Sequence, residues 1–171
     1  KLSVKVRKEL VTLSPEKEFD VFNKSKGLSP AAWHKYLTEN PEVIILDARN
    51  AYESEIGAFK PGSKNLITPK INTFKEIKSH LEELPKDEPI LTYCTGDVRC
   101  EYLSAYMKDQ GFKEVYHLEG GIVKYGQKYG KDGFWNGKCF TFDNRMNLEF
   151  GNTEIAQDIA TCKSCQQKTS E

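Results

Sequence analysis

The sequence predicts an α/β fold in which helices flank a central, mostly parallel sheet. Short apolar runs alternate with helical patterns through the middle of the chain, which is typical of this class. Residues 43–46 are apolar without interruption, as in a parallel strand that is covered on both faces. Another apolar run ends at Cys94, directly before a helical pattern, and ligand sites of parallel sheets lie at such strand ends.

The first helix and the first core strand have clear boundaries. Ser29 is a good N-cap and Pro30 suits the first helical position, so a helix is expected to begin here. Asn40 precedes a proline, which disfavours further helix. The strand over residues 43–46 follows, and residues 50–56 are expected to form a short helix.

Two further helices flank the strand that leads to Cys94. Thr73 is followed three residues later by Glu76, the spacing of a capping box, so a helix is expected to begin at Thr73. The strand covers residues 90–93, and Gly111 caps the helix that follows Cys94. The apolar face of the helix that begins at Thr73 consists of Phe74, Ile77, Leu81 and Leu84.

The remaining patterns divide the chain into four parts. Residues 115–118 predict a strand, residues 122–129 a helix, and aromatic residues after Gly133 favour β structure. Because the chain begins with Lys1 rather than Met, we expect it to be a piece of a longer protein. The parts are a strand that remains from a preceding domain (1–13), a linker (14–28), the main domain (29–130) and a C-terminal extension (131–171).

Composition excludes several classes of protein. The 171 residues are 38% hydrophobic and 29% charged, as in ordinary globular proteins, and the net charge is zero. The chain contains no apolar run near the length of a membrane span, and no secretory signal opens it. A neutral chain gives no independent argument for nucleic-acid binding. Five cysteines, an odd number, favour free thiols in a reducing cytoplasm.

The loop after the strand at residues 90–93 carries the strongest chemical signal. Cys94 is placed where backbone N–H groups and the positive end of a helix dipole converge, which favours the nucleophilic thiolate. Arg99 adds a positive charge that suits an anionic substrate or a bound persulfide, or that fixes the loop against a carboxylate. Gly96 is expected to supply a positive φ angle. The alternative is that Cys94 is only a small core residue.

Three stretches resemble the rhodanese family, over about residues 29–129. They are the loop from Cys94 to Arg99, the strand that ends in Asp47-x-Arg49, and the strand before the Gly-Gly pair at 120–121. Further runs are similar to one subfamily, the bacterial tRNA uridine hydroxylases with a central rhodanese domain. These runs are residues 49–53, 57–59, 94–96, 98–101 and 138–143, with Arg145.

The resemblance implies a rhodanese-like fold and a cytoplasmic enzyme. Its expected reaction is the oxygen-dependent formation of 5-hydroxyuridine at the wobble position of tRNA, with tRNA binding that needs the preceding domain. Cys94 would be catalytic, and Asp47 and Arg49 would form a supporting ion pair. The alternative is a sulfurtransferase that passes sulfur from a small donor through a Cys94 persulfide. In either case an anion would be cradled by the loop amides of Thr95, Gly96, Asp97, Val98 and Arg99.

Two positions in the loop leave questions open. Cys100 is either a resolving thiol or a buried helical residue. Asp97 stands where the subfamily usually has a second glycine, and we expect its charge to raise the Cys94 pKa or to repel an anionic donor. The gap of four residues between Cys94 and Arg99 argues against a phosphatase, whose loop is one residue longer. A non-catalytic interaction domain is disfavoured because Cys94 is present.

Metal and cofactor signals are weak. Cys162 and Cys165 have the spacing of half a zinc site, and two more ligands would be needed in the longer protein. The three histidines have no metal-ligand spacing to each other or to a cysteine. No flavin, haem or non-haem iron motif is identifiable, so no cofactor is expected from this chain.

Overall fold

A computed structural model describes residues 6, 9, 11–13, 19–59, 65–143 and 147–150, and the backbone of residues 160–161 and 168–169. In chain order the strands and helices are β1 (Lys26–Leu28), α1 (Pro30–Glu39), β2 (Ile44–Asp47), α2 (Ala51–Ser54), β3 (Gly57–Phe59), β4 (Leu66–Ile67), α3 (Ile77–Leu81), β5 (Ile90–Tyr93), α4 (Val98–Asp109), β6 (Val115–Leu118), α5 (Gly121–Tyr129), β7 (Trp135–Phe140), β8 (Asn147–Glu149), β9 (Ala160–Thr161) and β10 (Lys168–Thr169).

The central sheet has five parallel strands in the order β1-β6-β5-β2-β4. In β2, Ile45 and Leu46 are both fully buried and belong to different apolar clusters, one on each face of the sheet. This confirms the predicted strand that is covered on both faces. The register sets Asp47 beside Tyr93, so the carboxyl ends of the two central strands meet at one edge.

Strand β1 corrects the prediction of a linker over residues 14–28. Lys26–Leu28 pairs with β6 and forms one edge of the central sheet. The polar composition of this stretch concealed the strand, because an edge strand needs only one buried face, which Leu28 supplies. Of the predicted strand over residues 1–13, most positions lie outside the described residues, but Leu13 is fully buried in the core.

The helices begin and end largely as their sequences predict. The Ser29 hydroxyl accepts a hydrogen bond from the Ala32 N–H group, Pro30 is the first residue of α1, and Trp33 and Leu37 are buried. Gly111 follows α4 with a φ angle of +90°, as expected of a C-terminal cap.

The helix predicted from Thr73 differs in its first turn. A 3₁₀ helix covers Phe74–Glu76, and α3 begins only at Ile77. The Glu76 carboxylate accepts hydrogen bonds from the Thr73 hydroxyl and the Asn72 N–H group, and the Thr73 side chain does not accept the backbone hydrogen bond that a capping box requires. The predicted apolar face is nevertheless buried at Phe74, Ile77, Leu81 and Leu84.

A second sheet attaches the start of the C-terminal extension to the main domain. Strand β7 pairs antiparallel with β3 on one side and β8 on the other. Trp135 and Cys139 on β7 are buried in the same cluster as Trp33 and Tyr93. Gly57 and Gly137 face each other, and a side chain on Gly137 would meet the Ile56 carbonyl oxygen at 2.5 Å.

No helix within the described part of the chain has the length and apolar character that a membrane crossing requires. The candidate zinc ligands Cys162 and Cys165 lie outside the described residues.

Candidate functional site

Cys94 lies between β5 and α4, at the carboxyl edge of the central sheet, and is 2% exposed. Burial is the largest single influence on its pKa and acts to raise it. Against this act a hydrogen bond from the Cys100 thiol, the charge of Arg99, and the backbone N–H groups of Cys100 and Arg99. Together they lower the pKa of Cys94 to about 6, so the thiolate predominates at neutral pH.

Cys100 lies in the first turn of α4 and is fully buried. Burial and its hydrogen bond to Cys94 raise the pKa of Cys100 well above its ordinary value, so this thiol keeps its proton and acts as the donor. Its sulfur also lies 3.7 Å from the Thr92 hydroxyl. The structure therefore places Cys100 both in the core and in contact with Cys94, and all three cysteines in the described residues are free thiols.

Arg99 forms an ion pair with Glu53, a residue to which the sequence analysis gave no role. Arg99 Nη1 and Nη2 each donate to a Glu53 carboxylate oxygen at 2.7 Å. The Thr95 hydroxyl donates to the same carboxylate at 3.1 Å. Of the two contacts considered for Arg99, the structure shows the one with a carboxylate.

Glu53 is held in place by its own helix. It is fully buried in α2, and its carboxylate accepts a hydrogen bond of 3.1 Å from the Asn50 N–H group. A sequence signal for this was present, because Asn50 and Glu53 have the spacing of an N-cap and its third helical residue. Nothing in that spacing indicates Arg99 as the partner, since the two residues come together only in the tertiary fold.

Asp47 and Arg49 form the predicted ion pair, and both side chains are fully buried. Arg49 donates to both Asp47 carboxylate oxygens, at 2.9 and 2.6 Å, and to the carbonyl oxygens of Glu53 and Gly57. The Tyr93 hydroxyl donates to Asp47 at 2.7 Å. The pair thus connects β2 with the residue before Cys94 and with the helix that carries Glu53.

The backbone of the loop differs from the prediction at one residue. Asp97, rather than Gly96, has the positive φ angle, +79°, and it is the one non-glycine residue with such an angle in the described chain. Its carboxylate accepts a hydrogen bond from the Gly120 N–H group at 3.1 Å and lies 3.7 Å from His117 Nδ1. Aspartate is among the few residue types that tolerate this conformation.

The Asp97 carboxylate contacts Gly120 and His117 rather than Cys94. Its charge contributes to the raised pKa of Cys100, whereas it is not among the main influences on the pKa of Cys94. Burial raises the pKa of Asp97 itself and lowers the pKa of His117. His117 is buried, as expected of a residue in a core strand.

The Gly-Gly pair brings the start of α5 against the loop. The N–H groups of Ile122 and Val123 donate to the carbonyl oxygens of Cys94 and Thr95, at 3.0 and 3.2 Å. A side chain on Gly121 would meet both of these oxygens at 2.5 Å, and its φ angle is +63°. Only glycine allows this close approach. The first turn of α5 thereby holds the backbone of the loop in place through these two hydrogen bonds.

A cavity of about 590 Å³ lies beside the loop. Arg99 and Val98, the first residue of α4, form part of its wall, so the cavity adjoins the segment that carries Cys94. Among the residues that the structure describes, the lining consists of Val11, Thr12, Asn50, Thr73, Phe74, Lys75, Val98, Arg99 and Phe142.

Among the described residues, one group of three side chains has the ligand types and proximity for a metal ion, namely Asp97, Glu101 and His117. Lys24 forms an ion pair with Glu101 there, so a cation already occupies part of this group. Of the other histidines, His34 is not part of this group, and its Nδ1 atom lies 2.8 Å from the Tyr125 hydroxyl oxygen. The sequence alone did not bring these ligands together, because they lie on three different elements.

The profile of the family described as "Rhodanese-like domain" matches residues 30–128. A solution structure of a rhodanese-like domain from Anabaena sp. has a TM-score of 0.52 at 20% identity, over 66% of this chain and 80% of that chain. This likeness supports the assignment of the fold.

Curated relatives are similar over almost the whole chain. A protein of Corynebacterium urealyticum named "tRNA uridine(34) hydroxylase" is 42% identical over 96% of this chain and 57% of its own length. A protein of Corynebacterium diphtheriae with the same name is 44% identical over 89% of this chain and 51% of its own length. The chain therefore spans about half the length of these relatives.

Proposed function

The chain belongs to the rhodanese-like domain family, as its motifs indicated, and on this premise we propose that it is the catalytic domain of a cytoplasmic tRNA uridine hydroxylase. The proposed reaction is the oxygen-dependent conversion of the wobble uridine of tRNA to 5-hydroxyuridine. The name shared by relatives at 42% and 44% identity supports this substrate and reaction. Cys94 is the proposed catalytic residue.

The observation that carries the proposal is the combination of a thiolate at Cys94 with an arginine whose charge is already paired. The lowered pKa of Cys94 supplies a nucleophile at neutral pH. The two hydrogen bonds from Arg99 to Glu53 balance the guanidinium charge beside it. Because Glu53 already balances the Arg99 charge, the site does not require an anionic ligand and is compatible with a neutral group such as a uracil ring.

Each neighbouring residue then has a defined task. Cys100 donates a hydrogen bond that stabilises the thiolate, and Arg99 does the same through its charge. Glu53 keeps the Arg99 guanidinium in place, and Asp47 with Arg49 fixes the adjoining strand end. Because Cys94 is only 2% exposed, the base has to reach the thiol through a movement of the loop or of the cavity wall.

The test is a nucleoside analysis of tRNA by mass spectrometry. The full-length gene that encodes this chain is returned to a strain without 5-hydroxyuridine synthesis, as wild type, Cys94→Ala and Cys139→Ala. Cys139 is a matched control, because it is equally buried but lies on β7 and has a pKa raised by burial to about 12.

We expect the wild type and Cys139→Ala to restore 5-hydroxyuridine, and Cys94→Ala to leave uridine unmodified. Equal product from Cys94→Ala and the wild type would remove Cys94 from the reaction. A wild type that yields no 5-hydroxyuridine would contradict the proposed reaction as a whole.

A further inference from the structure

The cavity beside the Cys94 loop has the size of a small-molecule site. Its volume of about 590 Å³ falls within the range of roughly 300–1,000 Å³ that is usual for such sites. Arg99 belongs both to its wall and to the surroundings of the Cys94 thiolate. A ligand in this cavity therefore lies beside Arg99, the residue whose charge acts on the Cys94 thiolate.

An exposed aromatic side chain stands at the cavity. Phe142 is 67% exposed, so much of its ring is accessible to a ligand. The Arg99 guanidinium lies 5.8 Å from the centre of the Phe142 ring. Phe142 also contacts Phe140, with ring centres 5.2 Å apart, and Phe140 contacts Tyr52 at the same distance. These three rings form a continuous aromatic surface.

The rest of the cavity wall combines neutral polar groups with one exposed cation. The Asn50 amide donates one hydrogen to the Tyr52 hydroxyl, and the Thr73 hydroxyl donates its hydrogen to Glu76. The second amide hydrogen of Asn50 and the lone pairs of the Thr73 oxygen therefore serve as the donor and the acceptor for the imide edge of a uracil ring. Lys75 is exposed and suits the phosphate of a nucleotide. The charge of Arg99 is already paired by Glu53, so the interior of the cavity suits a flat, uncharged ring.

From these contacts we propose that the cavity holds the uracil ring of a single-stranded RNA nucleotide, stacked on Phe142, with its phosphate near Lys75. This inference rests on the proposed function and names the place where the target uridine binds. Single-stranded nucleic acid is commonly held in this way, by bases on aromatic rings and by a basic group along the backbone. Phe142 acts here as a positioning residue for the base.

The test uses the full-length protein and an anticodon stem-loop RNA with 5-iodouridine at the wobble position. Irradiation crosslinks this base to a ring stacked on it, and peptide mass spectrometry locates the crosslink. We expect it on Phe142, with a yield that falls about tenfold in Phe142→Leu and is retained in Phe142→Tyr. Phe22→Leu is the matched control, because Phe22 is 89% exposed but does not line this cavity.

A second measurement separates binding of the base from folding. The KM for tRNA in 5-hydroxyuridine formation is expected to rise about tenfold in Phe142→Leu, with full recovery in Phe142→Tyr and no change in Phe22→Leu. Phe142 is mostly exposed, so its replacement leaves the core intact, and a thermal unfolding curve verifies this.

The two proposals fail in different ways. If the wild type hydroxylates tRNA but the crosslink maps outside the cavity, or Phe142→Leu has the KM of the wild type, the cavity is not the base site. If the wild type neither hydroxylates nor crosslinks to the RNA, the proposed function fails and this inference fails with it.

Discussion

The guanidinium of Arg99 and the carboxylate of Glu53 meet through two hydrogen bonds of 2.7 Å, although the two residues are 46 positions apart in the chain. The Glu53 side chain is fully buried and the Arg99 side chain is 13% exposed. If one partner is removed, water therefore cannot hydrate the remaining charge fully, and the free energy of unfolding decreases. The ion pair attaches the first turn of α4 to α2, and in doing so it fixes the charge that acts on Cys94.

Glu53→Ala should destabilise the protein by about 3 kcal/mol, because it leaves the Arg99 charge partly buried without its partner. Chemical denaturation followed by circular dichroism measures this loss. Glu39→Ala is the control. Glu39 is exposed on the surface of α1, and its carboxylate lies 3.7 Å from Lys35 Nζ, which is a weak surface ion pair. A Glu53→Ala variant as stable as Glu39→Ala would show that the buried ion pair contributes little to folding.

Arg99→Gln should raise the pKa of Cys94 above its value of about 6, because the positive charge that favours the thiolate is lost. In the wild type the rate of alkylation by iodoacetamide should increase as the pH rises through about 6 and then level off. In Arg99→Gln the increase should move to higher pH, whereas Arg99→Lys should lie between the two. An unchanged pH profile in Arg99→Gln would show that Arg99 does not control the thiolate.

Cys100→Ala should also raise the pKa of Cys94, since it removes the hydrogen bond that the Cys100 thiol donates. Cys100→Ser retains a donor and should keep the pKa nearer to that of the wild type. The thiolate absorbance in the ultraviolet, recorded against pH, measures the pKa in both variants. If Cys100→Ala and Cys100→Ser have the same Cys94 pKa, Cys100 acts only as a packing residue.

The sequence was sufficient to predict the parts of the fold that depend on local pattern. The apolar run at β2 and the cap at Ser29 both act over a few residues, and both predictions are confirmed. The role of Glu53 could not be predicted, because its partner Arg99 lies on another element. Strand β1 was missed for a related reason. Its partner strand β6 is distant in the sequence, and Leu28 is the only buried residue of β1.

The positive φ angle of the loop was assigned to the wrong residue. Glycine is the usual occupant of this conformation, and Gly96 was therefore the expected position. The structure places it one residue later, where the Asp97 carboxylate accepts a hydrogen bond from the Gly120 N–H group. A side-chain contact with another turn thus decides which residue adopts the strained backbone, and such a contact is not visible in the sequence.

The final prediction tests this assignment by replacing each of the two neighbouring residues with alanine. Asp97→Ala should destabilise the protein by about 1–2 kcal/mol, because alanine is strained at a φ angle of +79° and cannot accept the hydrogen bond from Gly120. Gly96→Ala should be nearly neutral, since a side chain at Gly96 meets no atom within 4 Å and its φ angle is not positive. Asp97→Gly should relieve the strain but still lose the hydrogen bond, so its stability should lie between those of the wild type and Asp97→Ala. Thermal unfolding of the three variants gives the order directly, and a larger loss for Gly96→Ala than for Asp97→Ala would contradict the observed conformation of the loop.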